Sequence, residues 1–330
     1  MSDGTDPNAV GHKNPVTAII TAISDMFSEK GQINPMGDDE RLDGKTAMVT
    51  GSNTGLGKAI AIDLARRGAH VIMACRSGHP EAGEDVKRKS GSDKVTMLKV
   101  DLSDLDSASA LCDTLRDRSI KLDITIFNAG LMPLKARKGA QGYEVMFMVH
   151  FLANRLMVER LTRDGVIAAN TDNPPRIVFV SSESHRSSGP IDFDKFGDFI
   201  DYGLKDGMGQ YGYTKLHLCT FATELARRTN GIEVHSLCPG PVASDIAREA
   251  PGWIKIIVNP IMRMAFRAPD KATEPVMLLA AGQAMAGRTG VYLHMMREKA
   301  VSPSAADPEN GRQLWDKSGE LIEEWLQEIS

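Results

Sequence analysis

The run Thr50-Gly51-Ser52-Asn53-Thr54-Gly55-Leu56-Gly57 joins a stretch that reads as a buried strand, residues 46–50, to a helical pattern that continues through Arg67. Its glycines permit a tight turn and let the backbone come close to a pyrophosphate. The helix that follows turns free N–H groups and the positive end of its dipole toward the phosphates. Strand, Gly-rich turn and helix in this order point to a dinucleotide site. Gly51, Asn53, Thr54, Gly55, Leu56 and Gly57 are therefore candidate cofactor contacts.

Outward from this loop the chain alternates strands and helices. Strands are expected at 70–75, 95–100, 124–127, 176–181, 233–237 and 290–293, with helices at 104–118, 143–162 and 211–228 between them. Strands separated by helical patterns imply parallel pairing with right-handed crossovers. The expectation is an α/β, doubly wound parallel sheet of the Rossmann type, with its ligand at the strand C-termini. Residues 41–330 read as one such domain. Residues 1–40 read as an N-terminal extension with a short amphipathic helix, whose Val16, Ile19, Ile20, Ile23, Met26 and Phe27 share one face.

Composition narrows the class. Hydrophobic content of 42% and charged content of 25% are those of an ordinary globular enzyme, and a net charge of −4 gives no reason to expect nucleic acid as a partner. The four cysteines form no CxxC pair, so neither a disulfide framework nor a metal site is expected, and their use suits a reducing compartment. No stretch approaches a membrane-spanning length, and the acidic start lacks the basic flank of a secretion signal. A cytoplasmic location is expected.

The second strand ends in Ala74-Cys75-Arg76. An acidic residue at this place would hold the ribose hydroxyls of NAD, whereas Arg76 pairs with a 2′-phosphate. The expected cofactor is NADP(H).

The spacing TGxxxGxG in the loop, together with the YxxxK motif at Tyr211-Gly212-Tyr213-Thr214-Lys215, resembles the short-chain dehydrogenase/reductase family over residues 45–330. The resemblance implies that Asp101-Leu102 contacts adenine. It also implies that the turn Asn128-Ala129-Gly130 packs beside the cofactor and that Pro239-Gly240-Pro241-Val242 lines the nicotinamide. Tyr211 becomes the catalytic acid/base and Lys215 its partner one helical turn on, which also holds the nicotinamide ribose. An ammonium there is expected to lower the phenol toward working pH. Tyr213 is the rival, but it faces elsewhere. Ser182 matches the serine that holds the substrate oxygen, while strand alternation turns Ser181 away. Where the family often places a water-holding Asn, this chain has His150, expected either to hold a water, to mark a weakened proton relay, or to pack in its helix.

Ser181-Ser182-Glu183-Ser184-His185-Arg186, the insertion of about 25 residues after it, and the run Gly290-Val291-Tyr292-Leu293 with Ser302-Pro303-Ser304 resemble one branch of the family. That branch contains the retinol dehydrogenases, the WW-domain-containing oxidoreductase and light-dependent protochlorophyllide reductase. It implies reduction of a carbonyl, or oxidation of an alcohol, on a small but bulky apolar substrate. Reduction of a C=C bond, or cofactor binding with weak catalysis as in a sensor, are the alternatives. The apolar run 251–267 reads as a substrate lid, as ordinary packing, or as a weak membrane-surface contact. Insertion residues Asp192, Phe193, Phe196, Phe199 and Tyr202 read as a second wall of the pocket or as a surface loop. Pairing through the two long helices into a homodimer or homotetramer is the family expectation.

Overall fold

Strand β1 (Thr46–Thr50) is buried from Ala47 onward, as a central parallel strand covered on both faces must be. The computed structural model describes residues 32–203, 205–240 and 269–327. The expected helical face at 16–27, the run 251–267 and Val242 lie outside them.

Around β1 stand β2 (His70–Cys75), β3 (Val95–Lys99), β4 (Ile124–Phe127), β5 (Arg176–Val180), β6 (Glu233–Cys238), β7 (Tyr292–His294) and β8 (Arg297–Glu298). The sheet order is β3-β2-β1-β4-β5-β6-β7-β8, parallel throughout except for the antiparallel β7–β8 pair. The order reverses between β1 and β4, where Ala47 lies opposite Ile124, and a ligand crevice is expected at this switch point.

Alternate strand residues feed two apolar layers. On one face Ala47, Val49, Val178 and Val180 meet α1 (Gly55–Arg66), α2 (Glu81–Ser90) and α6 (Pro269–Ala281). On the other Met48, Ile177 and Phe179 meet α3 (Leu105–Asp117), α4 (Ala153–Arg163) and α5 (Gly207–Arg228). Residues 32–40 are less of an appendage than expected. The Ile33 N–H donates to the Met296 carbonyl at 2.8 Å, and Met36 is part of the first layer.

The helix expected at 143–162 is interrupted. An α turn at Val145–Phe147 opens into a π turn at Met148–Leu152 before α4 begins. Helix α4 is largely buried, including Arg155 and Arg160. Its cover includes α8 (Pro308–Gln327), which follows the short α7 (Pro303–Ala306) and was not anticipated. The Arg155 guanidinium lies 4.0 Å from the Trp315 ring centroid. Arg160 donates to Ser109 Oγ at 2.6 Å and to the Trp325 carbonyl at 3.1 Å, and pairs with Asp113 at 2.5 Å.

The insertion covers the other end of the same helices. Phe196 packs edge-on against Phe147 at 5.4 Å, Phe193 joins it, and the Tyr202 hydroxyl donates to Glu144 at 2.9 Å. These side chains pack on the helical layer, Phe196 also lines a small cavity beside Tyr213 and His217, and Phe199 is the exposed aromatic residue of the insertion. Among the described residues no helix is long and apolar enough to cross a membrane.

Candidate active site

The turn after β1 depends on missing side chains. Gly51 has φ +64, and a Cβ there would stand 2.9 Å from the Ala129 Cα. A Cβ on Gly57 would meet the Gly51 carbonyl at 2.5 Å and Asn128 Nδ2 at 2.4 Å. Both glycines are therefore required for backbone to approach backbone. Thr54 is the N-cap of α1 and makes no side-chain cap bond, and no acidic residue occupies the first turn. The helix start thus keeps its N–H groups and its positive end for an anion.

Asn128 fastens this loop to the β4 turn across the switch point. Its Nδ2 donates to the Thr50 carbonyl at 3.0 Å, while the N–H groups of Asn128 and Ala129 donate to Thr50 Oγ1 at 3.0 and 3.1 Å. Arg76 stands largely exposed past β2, 3.8 Å from an Asp101 carboxylate oxygen, and Asn53 Nδ2 donates to Ser77 Oγ at 3.3 Å on the same rim. The Leu102 side chain is buried in the core, which leaves its backbone as the part able to touch a ligand. Pro239 and Gly240 follow β6, and Gly240 has φ +82 with Met295 filling the space a Cβ would need.

The reacting groups meet at the next strand ends. Tyr211 lies in the first turns of α5, partly exposed, and the nearby Ser182 side chain acts on its phenol. Gly212 lets the helix touch the turn after β5, because a Cβ there would come 2.6 Å from the Ser184 carbonyl. Lys215 is buried, donates to the Val180 carbonyl at 2.9 Å, and lies 5.7 Å from the Tyr211 ring centroid. Gly130 closes the circle: a Cβ on it would be 3.8 Å from Lys215 Nζ and 3.5 Å from His150 Nε2.

Tyr213 and Ser181 face away, as expected. The Tyr213 hydroxyl accepts from the Asp192 N–H at 2.9 Å, and Ser181 Oγ contacts Cys219 Sγ at 3.0 Å.

Two expectations change. Burial pushes the Tyr211 phenol up from its ordinary value, and the Lys215 ammonium does not offset this. Burial also pulls Lys215 down to about 8. His150 does not offer a nitrogen to water. Nε2 accepts from the Leu131 N–H at 3.1 Å and Nδ1 bonds Thr214 Oγ1 at 2.8 Å, so the neutral Nδ1–H ring is fixed by protein groups at both ends. Burial first, then the Lys215 charge, holds its pKa well below the ordinary value. His150 therefore ties the Asn128-Ala129-Gly130 turn to α5.

Sequence reasoning missed Thr214 and Leu131. It also missed the groups behind Ser182: Glu183, His185, Tyr292 and Lys299. Glu183 and His185 stand in the stretch already singled out, but their partners lie more than a hundred residues away.

The cradle fits a dinucleotide, and comparison with known proteins agrees. The family profile described as short chain dehydrogenase matches residues 45–191. The dehydrogenase/reductase SDR family member 13 of Bos taurus is 33% identical over 291 residues, covering 85% of this chain and 74% of that protein. The human retinol dehydrogenase 13 is 31% identical over 294 residues, covering 85% of each chain. Among solved structures, the NADP complex of RhlG from Pseudomonas aeruginosa superposes with a TM-score of 0.56 at 24% identity, over 78% of this chain and 96% of that one. Loop, tyrosine–lysine pair, sheet order and relatives converge: the chain belongs to the short-chain dehydrogenase/reductase family, in its retinol dehydrogenase branch.

Proposed function

We propose that this oxidoreductase uses NADP(H) to reduce a carbonyl, or to oxidise the matching alcohol, on a bulky apolar substrate. The observation that carries the reading is the meeting of Tyr211, Ser182 and Lys215 beside Gly130, next to a loop built for phosphates. Gly51, Gly55 and Gly57 would receive the pyrophosphate, Arg76 and Asn53 the 2′-phosphate side, and Lys215 with the Asn128–Gly130 turn the nicotinamide riboside. When bound, the cofactor supplies the hydride.

The chain's own groups handle the oxygen. Ser182 Oγ donates to the substrate oxygen and so stabilises the charge that develops there. Tyr211, held protonated at neutral pH by burial, delivers its proton to that oxygen. Lys215, with a pKa of about 8, still carries charge at pH 7 and can restore the proton.

An apolar substrate is supported by the names of the retinol dehydrogenase relatives and by the apolar run 251–267. A cytoplasmic site of action is part of the same reading and rests on four free, buried cysteines.

The test is cofactor oxidation with NADPH and with NADH against all-trans-retinal, decanal and a steroid ketone, with products identified. NADPH-dependent alcohol formation is expected. A saturated C=C bond would move the reading to C=C reduction, and tight NADPH binding without turnover on any of these would overturn it.

A further inference from the structure

The backbone of Ser182 is held by a side chain that the reaction does not use. The Ser182 carbonyl accepts two bonds from one residue, the His185 N–H at 3.1 Å and His185 Nδ1 at 2.7 Å. The other ring nitrogen, Nε2, accepts from the Ser302 N–H at 3.1 Å. His185 is only 1% exposed. A carbonyl can only accept and an N–H can only donate, so both bonds form together only when the neutral ring carries its proton on Nδ1. The imidazole is thus a two-ended strut between the catalytic serine and the C-terminal segment that enters α7.

Neighbouring groups brace the strut from its sides. The Tyr292 ring stands edge-on to His185 at 5.3 Å, and its hydroxyl donates to Glu183 Oε1 at 2.7 Å. Glu183 Oε2 pairs with Arg186 at 3.1 Å and has Lys299 and His294 at 3.8 Å. The Arg186 guanidinium reaches on to the Ala300 carbonyl. Residues 292–302 therefore grip the turn that begins at Ser182 on three sides.

We infer that His185 is a positioning residue for this oxidoreductase: by tying the Ser182 carbonyl to the Ser302 N–H, it sets where the Ser182 hydroxyl meets the substrate oxygen. The inference rests on the reading of Ser182 given above. Because a serine hydroxyl displaced by about 1 Å loses much of its effect on the transition state, the role belongs to kcat rather than to cofactor affinity.

The test is a double-mutant cycle on NADPH-dependent reduction of all-trans-retinal, using His185→Phe, which keeps the ring shape and loses both bonds, and Ser182→Ala. His185→Phe is expected to lower kcat about 10-fold with NADPH affinity unchanged, and to add less than about two-fold in the Ser182→Ala background. A full multiplicative loss in that background would overturn the positioning role. An unaltered kcat in Ser182→Ala alone would instead defeat the underlying assignment of Ser182. His185→Gln, whose shorter polar chain keeps hydrogen-bonding capacity, is expected to recover part of the loss. Independently of turnover and of any variant, imidazole 15N resonances of the wild-type chain at pH 7 are expected to give a neutral Nδ1–H ring for His185; a proton found on Nε2 would overturn the strut.

Discussion

The turn after β1 and the first turns of α5 face one cleft, yet they are built differently. At the phosphate turn the working parts are backbone: Gly51 and Gly57 leave room, Thr54 leaves N–H groups free, and the fastening side chains, Asn128 and Thr50, bond to backbone groups. At the α5 side the working parts are ionisable side chains: buried Lys215 pulled down to about 8, buried His150 held neutral, and half-buried Tyr211 pushed up. A cofactor with fixed charge can be held by shape and dipole. A proton that must move needs groups whose charge state the surroundings control.

The sharpest way to break this comparison is Tyr211→Phe. It removes only the proton donor, so turnover is expected to fall about 1,000-fold while NADPH affinity, read by fluorescence, stays within about two-fold of wild type. Loss of cofactor binding in that variant would mean that the two sides are not separable.

Gly57→Ala addresses the other side. The added Cβ meets backbone at 2.5 Å, so NADPH affinity is expected to weaken roughly 10–100-fold, the equivalent of about 1–3 kcal/mol of forced displacement. Unchanged titration with NADPH would show that the turn does not work by close backbone approach.

Lys215→Met probes the cost of the withdrawn charge. The unfolded lysine keeps its ordinary value of 10.5 and the folded one titrates near 8. Below about pH 8 both forms are protonated and the folded chain bears the whole cost; from 8 toward 10.5 the cost disappears. The variant should therefore be more stable than wild type at pH 7, by up to about 3 kcal/mol in denaturant unfolding, and the gain should shrink as pH rises through 8. A gain that grows with pH would reverse the sign of the argument.

Arg76→Asp is expected to have the smallest effect, because the guanidinium is exposed and its ion pair with Asp101 is long. It should shift the ratio of NADPH to NADH affinity about 10-fold toward NADH, some 1.4 kcal/mol. An unchanged ratio would remove Arg76 from cofactor choice.

Legibility followed the same division. Seven strands and the phosphate turn were visible, because each depends on a local run: Thr46–Thr50 is apolar enough to be central, and the glycines are adjacent in sequence. Tyr211, Lys215 and Ser182 came from motif resemblance and do converge. What stayed hidden depends on distance along the chain. Helix α8 shows its apolar face against distant helices, α4 and α5 among them, and nothing near Trp315 announces that Arg155 will lie on its ring. The shift of Tyr211 was misjudged because a Lys four residues on was weighed and burial was not. Of the three readings open for His150, the sequence could not single out packing in the helix, because the Leu131 N–H, nineteen positions earlier, has no side chain to betray it.

The π turn at Met148–Leu152 has a consequence for how such a site is altered. A π turn is an α-helix carrying one surplus residue, so its upstream half is rotated by about 100° relative to an uninterrupted helix. Deleting Val149 would let the ladder revert and turn the upstream residues Val145–Met148 relative to α4, moving Phe147 against Phe151 and Phe196 without touching a group that meets a ligand. A single codon lost or gained at this point is a coarse dial on the cleft, of a kind that point substitutions cannot reproduce.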